Sequence, residues 1–271
     1  MMEQRRYQTK HAYRTRGHAE LARRAGGVID DIEERLARRS PVRLLELGCG
    51  YGTVLLELGR RYGSRVEPVG INRRGRDGDA EAMRRNGIDR GLLAGGAPSA
   101  HLPSIVYADV GAGLPFADDS FDIVYSQVAW LYFGNKVGVL REVSRVLRAD
   151  GVARIDADEL RHDLPPEYRR LVEIWQDGRV LPFGAYLRQH GMSLLPADEG
   201  EYLRFGKCPS VGEDLEPIVE IDVSAIDPRW SGIKCVYRRR GDAVAVAENA
   251  TTGSPSPARV PRPTGPSCDD G

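Results

Sequence analysis

The sequence is short of almost every feature that would assign it to a specialised class. Its 271 residues include only four cysteines, Cys49, Cys208, Cys235 and Cys268, with no C-x-x-C pair, so neither a zinc site nor a disulfide framework is indicated. Net charge is missing too. The 39 Lys and Arg balance 39 Asp and Glu, so no global basic field draws the chain to nucleic acid or to an anionic membrane, and neither partner is expected. No apolar run reaches the length of a membrane span, and the polar start Met-Met-Glu-Gln-Arg-Arg lacks the apolar core of a signal peptide. The expected location is therefore the cytoplasm. Aromatic residues make up only 7%, yet 41% hydrophobic and 29% charged residues leave room for one large core.

What is present is concentrated in residues 42–53, Val-Arg-Leu-Leu-Glu-Leu-Gly-Cys-Gly-Tyr-Gly-Thr. Val42 to Leu47 is nearly all apolar, as suits a central parallel strand covered on both faces, and from Thr53 to Tyr62 the spacing turns helical through Val54, Leu55, Leu58 and Tyr62. Gly48, Gly50 and Gly52 stand at the change of period. They allow backbone angles and close approaches that a side chain would block, and the helix start behind them offers free N–H groups. The dinucleotide fingerprint G-x-G-x-x-G is not met, because the third glycine comes one place early and Thr53 stands where it should be. Glu46 also lies beside the turn. Its carboxylate would repel a pyrophosphate but attract a ligand carrying an ammonium and a sulfonium.

The run Glu-Leu-Gly-Cys-Gly-Tyr-Gly resembles the first motif of the class I S-adenosylmethionine-dependent methyltransferases, and later stretches agree in order. Val66 to Asn72 is similar to their second strand, Ile105 to Asp109 to their third, and Leu114 to Ser126 to the run into the fourth. Leu140 to Ile155 resembles the following helix and fifth strand. The resemblance covers about residues 42–156 and implies a Rossmann-like, doubly wound α/β sheet, mostly parallel with an antiparallel last strand and helices on both faces. It implies S-adenosylmethionine as cofactor and S-adenosylhomocysteine as product.

By this resemblance Glu46 orients the methionyl end while Gly48, Cys49, Gly50 and Gly52 let it lie against the turn. The family's acid for the ribose hydroxyls is replaced by Asn72, which can accept from one hydroxyl and donate to the other without charge assistance. Arg73 is expected to be a spectator. Asp109 is placed to accept from the adenine amino group, with the Val110 amide beside it, and Ser126, Gln127 and Val128 fall where sulfonium and substrate should meet. Methyl transfer is an in-line displacement at an activated carbon, so alignment and water exclusion can carry much of it. A base, where an acceptor needs one, is sought in His162 first, then His190, Glu159 and Tyr132. Trp130, Tyr132 and Phe133 are read as pocket wall or as core. Asp156, Asp158, Glu159 and His162 have metal-like spacing, but a solvated cluster is the plainer reading and no metal is expected.

The rest of the chain sets the boundaries. Residues 1–41 are expected to form an N-terminal lid or helical segment with a helix from His18 to Arg38, and Tyr7, His11, Tyr13 and His18 are the lid candidates. The plainer alternative is a solvated arm and a helix packed on the sheet. Between Arg73 and Ser104 a crossover helix is expected near Asp77 to Asn86, with a loop at Gly95 to Ser99. A helix near Asn135 to Arg148 should stop at Asp150-Gly151. Further helices are expected at Pro165 to Gln176 and Phe183 to His190, and the last two strands at Glu201 to Cys208 and Gly232 to Arg238. The cofactor domain would thus span 42–240, and residues 241–271, poor in large apolar side chains, are expected to be a disordered tail.

The acceptor is expected to be an O, N or C atom of a small metabolite in specialised, natural-product biosynthesis. No Asp/Asn-Pro-Pro-Tyr-like tetrapeptide follows the fourth strand and no Pro-Cys nucleophile is present, which argues against amino-methylating enzymes of adenine or glutamine and against cytosine carbon-5 enzymes. A peptide or an RNA contacted by Arg73, Arg74, Arg76, Arg84 and Arg85 is the alternative acceptor, and a cofactor-binding protein with a non-methylating role is the alternative of a different class. Oligomeric state is left open, a homodimer included.

Overall fold

A computed structural model describes residues 16–73, 78–95, 102–157, 170–198, 200–226 and 232–241. Two short helices, α1 (His18–Ala25) and α2 (Val28–Leu36), precede strand β1 (Val42–Leu47). Then come α3 (Thr53–Tyr62), β2 (Val66–Asn72), α4 (Ala80–Asp89), β3 (Ser104–Tyr107), β4 (Phe121–Ser126), α5 (Lys136–Val146) and β5 (Leu147–Asp156). The C-terminal part holds β6 (Val172–Gln176), β7 (Arg179–Leu181), α6 (Phe183–Gln189), β8 (Ser193–Ala197), β9 (Gly200–Phe205), β10 (Leu215–Asp222) and β11 (Ile233–Arg239).

The main sheet has seven strands in the order β3-β2-β1-β4-β5-β9-β8. Neighbours from β3 to β5 pair in parallel, and β9, the last of these strands in the chain, enters antiparallel between β5 and β8. Both faces are covered, which explains why the central strands read as continuous apolar runs rather than alternating ones. Leu44, Ile123, Tyr125 and Val152 face a core built with Leu21, Ile32, Leu55 and Met83, from α1 to α4. Leu45, Leu47, Val124, Ala153 and Ile155 face the opposite core with Val139, Val143, Phe183 and Leu187, from α5 and α6.

The N-terminal helices belong to this packing. Leu21, Ala25, Val28 and Ile32 are buried against the sheet, and Arg154 of β5 donates to Asp31 on α2, to the Ala25 carbonyl on α1 and to the Tyr202 hydroxyl on β9. The single helix expected from His18 to Arg38 is broken at Gly26-Gly27. Gly26 takes φ +64°, and both glycines sit where the chain turns between α1 and α2. The crossover helix lies three residues later than expected and is preceded by Asp79, whose carboxylate caps it by accepting from the Ala82 amide at 2.7 Å.

Three other expectations are corrected. Asp150-Gly151 does not stop α5. The chain passes from Val146 directly into β5, and residues 148–151 form an irregular excursion, with Phe121 opposite Leu147 but Ile123 opposite Val152. Val172–Gln176 is a strand, not the end of a helix, while residues 165–169 fall outside the described residues. The strand expected at Gly232 to Arg238 exists as β11, but in a second, four-stranded sheet of order β10-β11-β6-β7. Its β6–β7 turn is Asp177-Gly178, both at positive φ, the two-residue hairpin geometry that Asp-Gly favours.

The second sheet is joined to the start of α5 by three consecutive residues. Asn135 donates its amide to Glu220 Oε1 at 2.6 Å, the fully buried Lys136 donates Nζ to the Phe133 and Ile233 carbonyls, both at 2.6 Å, and Val137 donates its amide to the Tyr237 hydroxyl at 3.1 Å. The first free amides of α5 are thus satisfied by strands β10 and β11.

Candidate functional site

The glycine turn forms where β1 leaves the sheet. Gly48 and Cys49 both donate their amides to the Ile71 carbonyl at the end of β2, and Gly48, Gly50 and Gly52 all have positive φ, +72°, +52° and +65°. Their surroundings differ. A Cβ on Gly48 would stand 2.4 Å from the Ala129 Cβ, and one on Gly52 would meet Met83 of α4, whereas one on Gly50 meets nothing within 4 Å. Gly50 faces open space. The Asn72 side chain closes over the turn by accepting from the Gly50 amide and donating to the Gly50 carbonyl, both at 2.9 Å, with a further donation to Gly78.

That open space is a cavity of about 310 Å³ at the C-terminal ends of β1, β2, β3 and β4, the edge of an open α/β sheet at which ligands bind. Glu46 lines it. The carboxyl group is buried and accepts from the Tyr125 hydroxyl at 3.0 Å, and among the described residues it forms no ion pair. Burial raises its pKa to about 8, against the pull of the Tyr125 bond, and the Glu57 charge adds to the rise. The same burial raises Tyr125 and Cys49. A buried acid held near neutrality at a cavity wall is a group poised to ionise when a cation arrives.

Across the cavity the chain leaves β3 at Asp109. Its Oδ1 accepts from the Gly111 amide at 3.0 Å, capping the short turn Val110–Ala112, while Oδ2 lies 3.6 Å from the Arg73 guanidinium. On the β4 side, Val128 adopts φ +63°, a left-handed conformation that a β-branched residue rarely takes, and donates its amide to the buried Asp156 at 3.1 Å. Gln127 beside it is 8% exposed, and its Nε2 is buried without a hydrogen-bond partner.

Of the residues picked from the sequence, Glu46, Gly48, Cys49, Gly50, Asn72, Asp109, Val110 and Gln127 all line this one cavity. Gly52 and Ser126 do not. Gly52 packs on Met83, and the Ser126 hydroxyl donates to the Leu47 carbonyl at 3.1 Å inside the sheet. Arg73, expected to be a spectator, lines the cavity and reaches the Tyr132 carbonyl at 3.4 Å as well as Asp109. Tyr132 and Phe133 line it too, whereas Trp130 is core, stacked on Phe183. His190 packs against Tyr186 at a ring distance of 4.6 Å, away from the cavity. His18 grips Glu57 of α3 through its amide and ring, and it is its neighbour Arg16 that lines the cavity. His162, Glu159, Asp158, Tyr7, His11 and Tyr13 lie outside the described residues. Val128, expected where sulfonium and substrate should meet, lines the cavity as well, whereas Arg16 and Ala129 are lining residues that the sequence reading missed. No local motif marks them, because only the chain reversal at Val128 and the packing of α1 bring them to the glycine turn.

The model of a family described as "Methyltransferase domain" matches residues 45–155, a span that contains every element of this cavity except Arg16. A sarcosine/dimethylglycine N-methyltransferase of Halorhodospira halochloris is 31% identical over 149 residues, 55% of this chain and 48% of its own. A malonyl-[acyl-carrier protein] O-methyltransferase of Halorhodospira halophila is 35% identical over 127 residues, 46% and 38% of the two chains. An ajmaline N-methyltransferase of Rauvolfia serpentina is 30% identical over 154 residues, 56% and 45%. The chain spans about half, or less, of the length of the curated relatives it matches. Motif, fold and cavity meet in the same residues, and this part of the chain, residues 45–155, is the part that matches the methyltransferase domain family.

Proposed function

We propose that the chain transfers a methyl group from S-adenosylmethionine to an oxygen, nitrogen or carbon atom of a small metabolite, in specialised biosynthesis. The observation that carries the reading is the buried Glu46 at the wall of a cavity that also receives the glycine turn. The residues present fit the cofactor. A buried acid that forms no ion pair among the described residues suits an ammonium, and the bare Gly50 leaves room against the turn.

When bound, the cofactor supplies a methyl group already activated on a sulfonium. Glu46 would hold the ammonium of its methionyl end, Gly48 to Gly50 would lie along it, and Asp109 and Val110 would face the adenine. Asn72 is proposed to lock the turn rather than to hold the ribose, since its amide is taken up by Gly50 and Gly78. Tyr132 and Phe133, on the β4 side, would wall the acceptor and keep water from it.

The names of the sarcosine/dimethylglycine and ajmaline N-methyltransferases support a small acceptor, and that of the malonyl-[acyl-carrier protein] O-methyltransferase, whose acyl group is carried on a protein, leaves the atom open between nitrogen and oxygen. An RNA acceptor loses support, because Arg84 and Arg85 pair with Glu81 and Arg73 with Asp109, while Arg74 and Arg76 lie outside the described residues. The test is to incubate the protein with S-adenosylmethionine and fractionated metabolites and to follow S-adenosylhomocysteine. Acceptor-dependent release supports methyl transfer; cofactor binding without release from any fraction supports the non-methylating reading.

A further inference from the structure

The residue that ends β2 is neutral, and its hydrogen bonds leave no place for an acid. Asn72, buried at the cavity wall, accepts from the Gly50 amide and donates Nδ2 to two carbonyls, Gly50 at 2.9 Å and Gly78 at 3.0 Å. The fit is close, since a Cβ on Gly78 would stand 2.6 Å from Nδ2. An aspartate here would turn an oxygen toward both carbonyls, two acceptors with no donor between them. Arg73 follows directly. Its guanidinium lines the same cavity, 3.4 Å from the Tyr132 carbonyl and 3.6 Å from Asp109, and with 59% of its side chain exposed it is free to turn toward a ligand.

We propose that this corner of the cavity admits adenosine phosphorylated at its 2′ or 3′ oxygen, with Arg73 meeting the phosphate, and that such a ligand competes with the cofactor. The proposal rests on the cofactor reading above, which puts the ribose at the end of β2, and adds a ligand class to that site. Where an open α/β sheet binds a dinucleotide, an acid about twenty residues past the glycine turn takes up the ribose hydroxyl, and a nearby arginine accommodates a phosphate in its place. Here the acid is replaced and the arginine is the next residue. A carboxylate at position 72 would repel a phosphate dianion at contact distance, whereas the Asn72 amide does not. The two acids that line the cavity lie elsewhere. Asp109 accepts from the Gly111 amide beyond β3, and Glu46 stands on β1, toward the 5′ end of the bound adenosine.

The test is displacement of labelled S-adenosylhomocysteine from the purified full chain by adenosine and by its 2′-, 3′- and 5′-monophosphates. The better of the 2′ and 3′ compounds should have an inhibition constant about fivefold below that of adenosine. The 5′ compound, whose phosphate points toward Glu46, should gain nothing. In Arg73→Gln the advantage of the 2′ or 3′ phosphate over adenosine should vanish, a ratio that a general change in affinity does not move. Asn72→Asp should weaken S-adenosylhomocysteine about tenfold and reverse the preference for the phosphate, because the side chain then opposes two carbonyls and carries charge. Equal gains by all three monophosphates would mark a general attraction of anions and overturn the proposal. So would adenosine displacing better than both the 2′ and 3′ compounds, an advantage that survives Arg73→Gln, or tighter S-adenosylhomocysteine binding by Asn72→Asp. Should Asn72→Asp not fold, the wild-type and Arg73→Gln ratios still decide. If the wild type binds no S-adenosylhomocysteine at all, it is the cofactor reading that falls.

Discussion

At the scale of single residues, Glu46 sets a conflict between stability and binding. Its pKa in the folded chain, about 8, lies above its ordinary 4.5, so the protonated form is the one the fold favours. Between those values the folded state holds a proton that the unfolded state has released. Stability from this group is therefore full below about 4.5 and falls as pH rises, by up to about 1.4 kcal/mol per pH unit until about 8. Glu46→Gln should raise the melting temperature at pH 7 to 8 and flatten its decline with pH, while abolishing cofactor binding; calorimetry and thermal melts on the same sample check both. In the wild type, affinity for S-adenosylhomocysteine should fall as pH drops from 8 to 6, since ionised Glu46 is needed to hold an ammonium. Proton release on binding, measured in buffers of different ionisation enthalpy, gives an independent readout. The glycines offer a matched pair. Gly50→Ala and Gly52→Ala both place a side chain at positive φ and should destabilise, by about 1 kcal/mol at Gly50 and by more at Gly52, where the methyl also meets the buried Met83. Only at Gly50 does the new methyl enter the cavity, so only there should S-adenosylhomocysteine affinity fall tenfold or more. The place of Glu46 and Gly50 at the cavity was legible because the first motif holds them within five residues of chain. The lock made by Asn72 was not, since its partners are the backbone of Gly50 and Gly78.

At the scale of elements, the N-terminal helices are fastened by charge as well as by apolar packing. Arg154 and Asp31 have side chains 8% and 5% exposed, and removing one partner leaves the other charge buried. Asp31→Ala should cost about 3–5 kcal/mol and release α1 and α2 first, seen as faster amide exchange over residues 18–36 than over β1 and β4. The strand β1 was legible because it is a nearly continuous apolar run buried on both faces, whereas β2, with Glu67 exposed, and β4, with Asp122 buried in it, were legible through the family resemblance. The break at Gly26-Gly27 was missed because apolar spacing continues across it through Leu21, Ala25, Val28 and Ile32, and only the φ of Gly26 turns the chain. The β6–β7 hairpin did have a signal, Asp177-Gly178 between Trp175 and Val180, which the helical spacing of Tyr168, Leu171, Val172 and Trp175 obscured.

At the scale of the molecule, one half is generic and the other particular. The parallel part of the main sheet, the glycine turn and all of the cavity lining but Arg16 follow the family span 45–155, whereas β8, β9 and the second sheet come from residues 172–239, after the motifs end. Its strands are mostly short and antiparallel, and their pairing joins β11 to β6 across about sixty residues, which no local pattern could announce. Through Glu220, Ile233 and Tyr237 it fixes the start of α5, directly behind the Tyr132 and Phe133 wall of the cavity. Everything proposed for this wall depends on what the cavity holds. The most direct test is calorimetric titration of the folded wild-type protein with S-adenosylhomocysteine at pH 8. The account predicts one site per chain with a dissociation constant in the micromolar range. Absence of binding by a protein with intact secondary structure and a cooperative melt would contradict it.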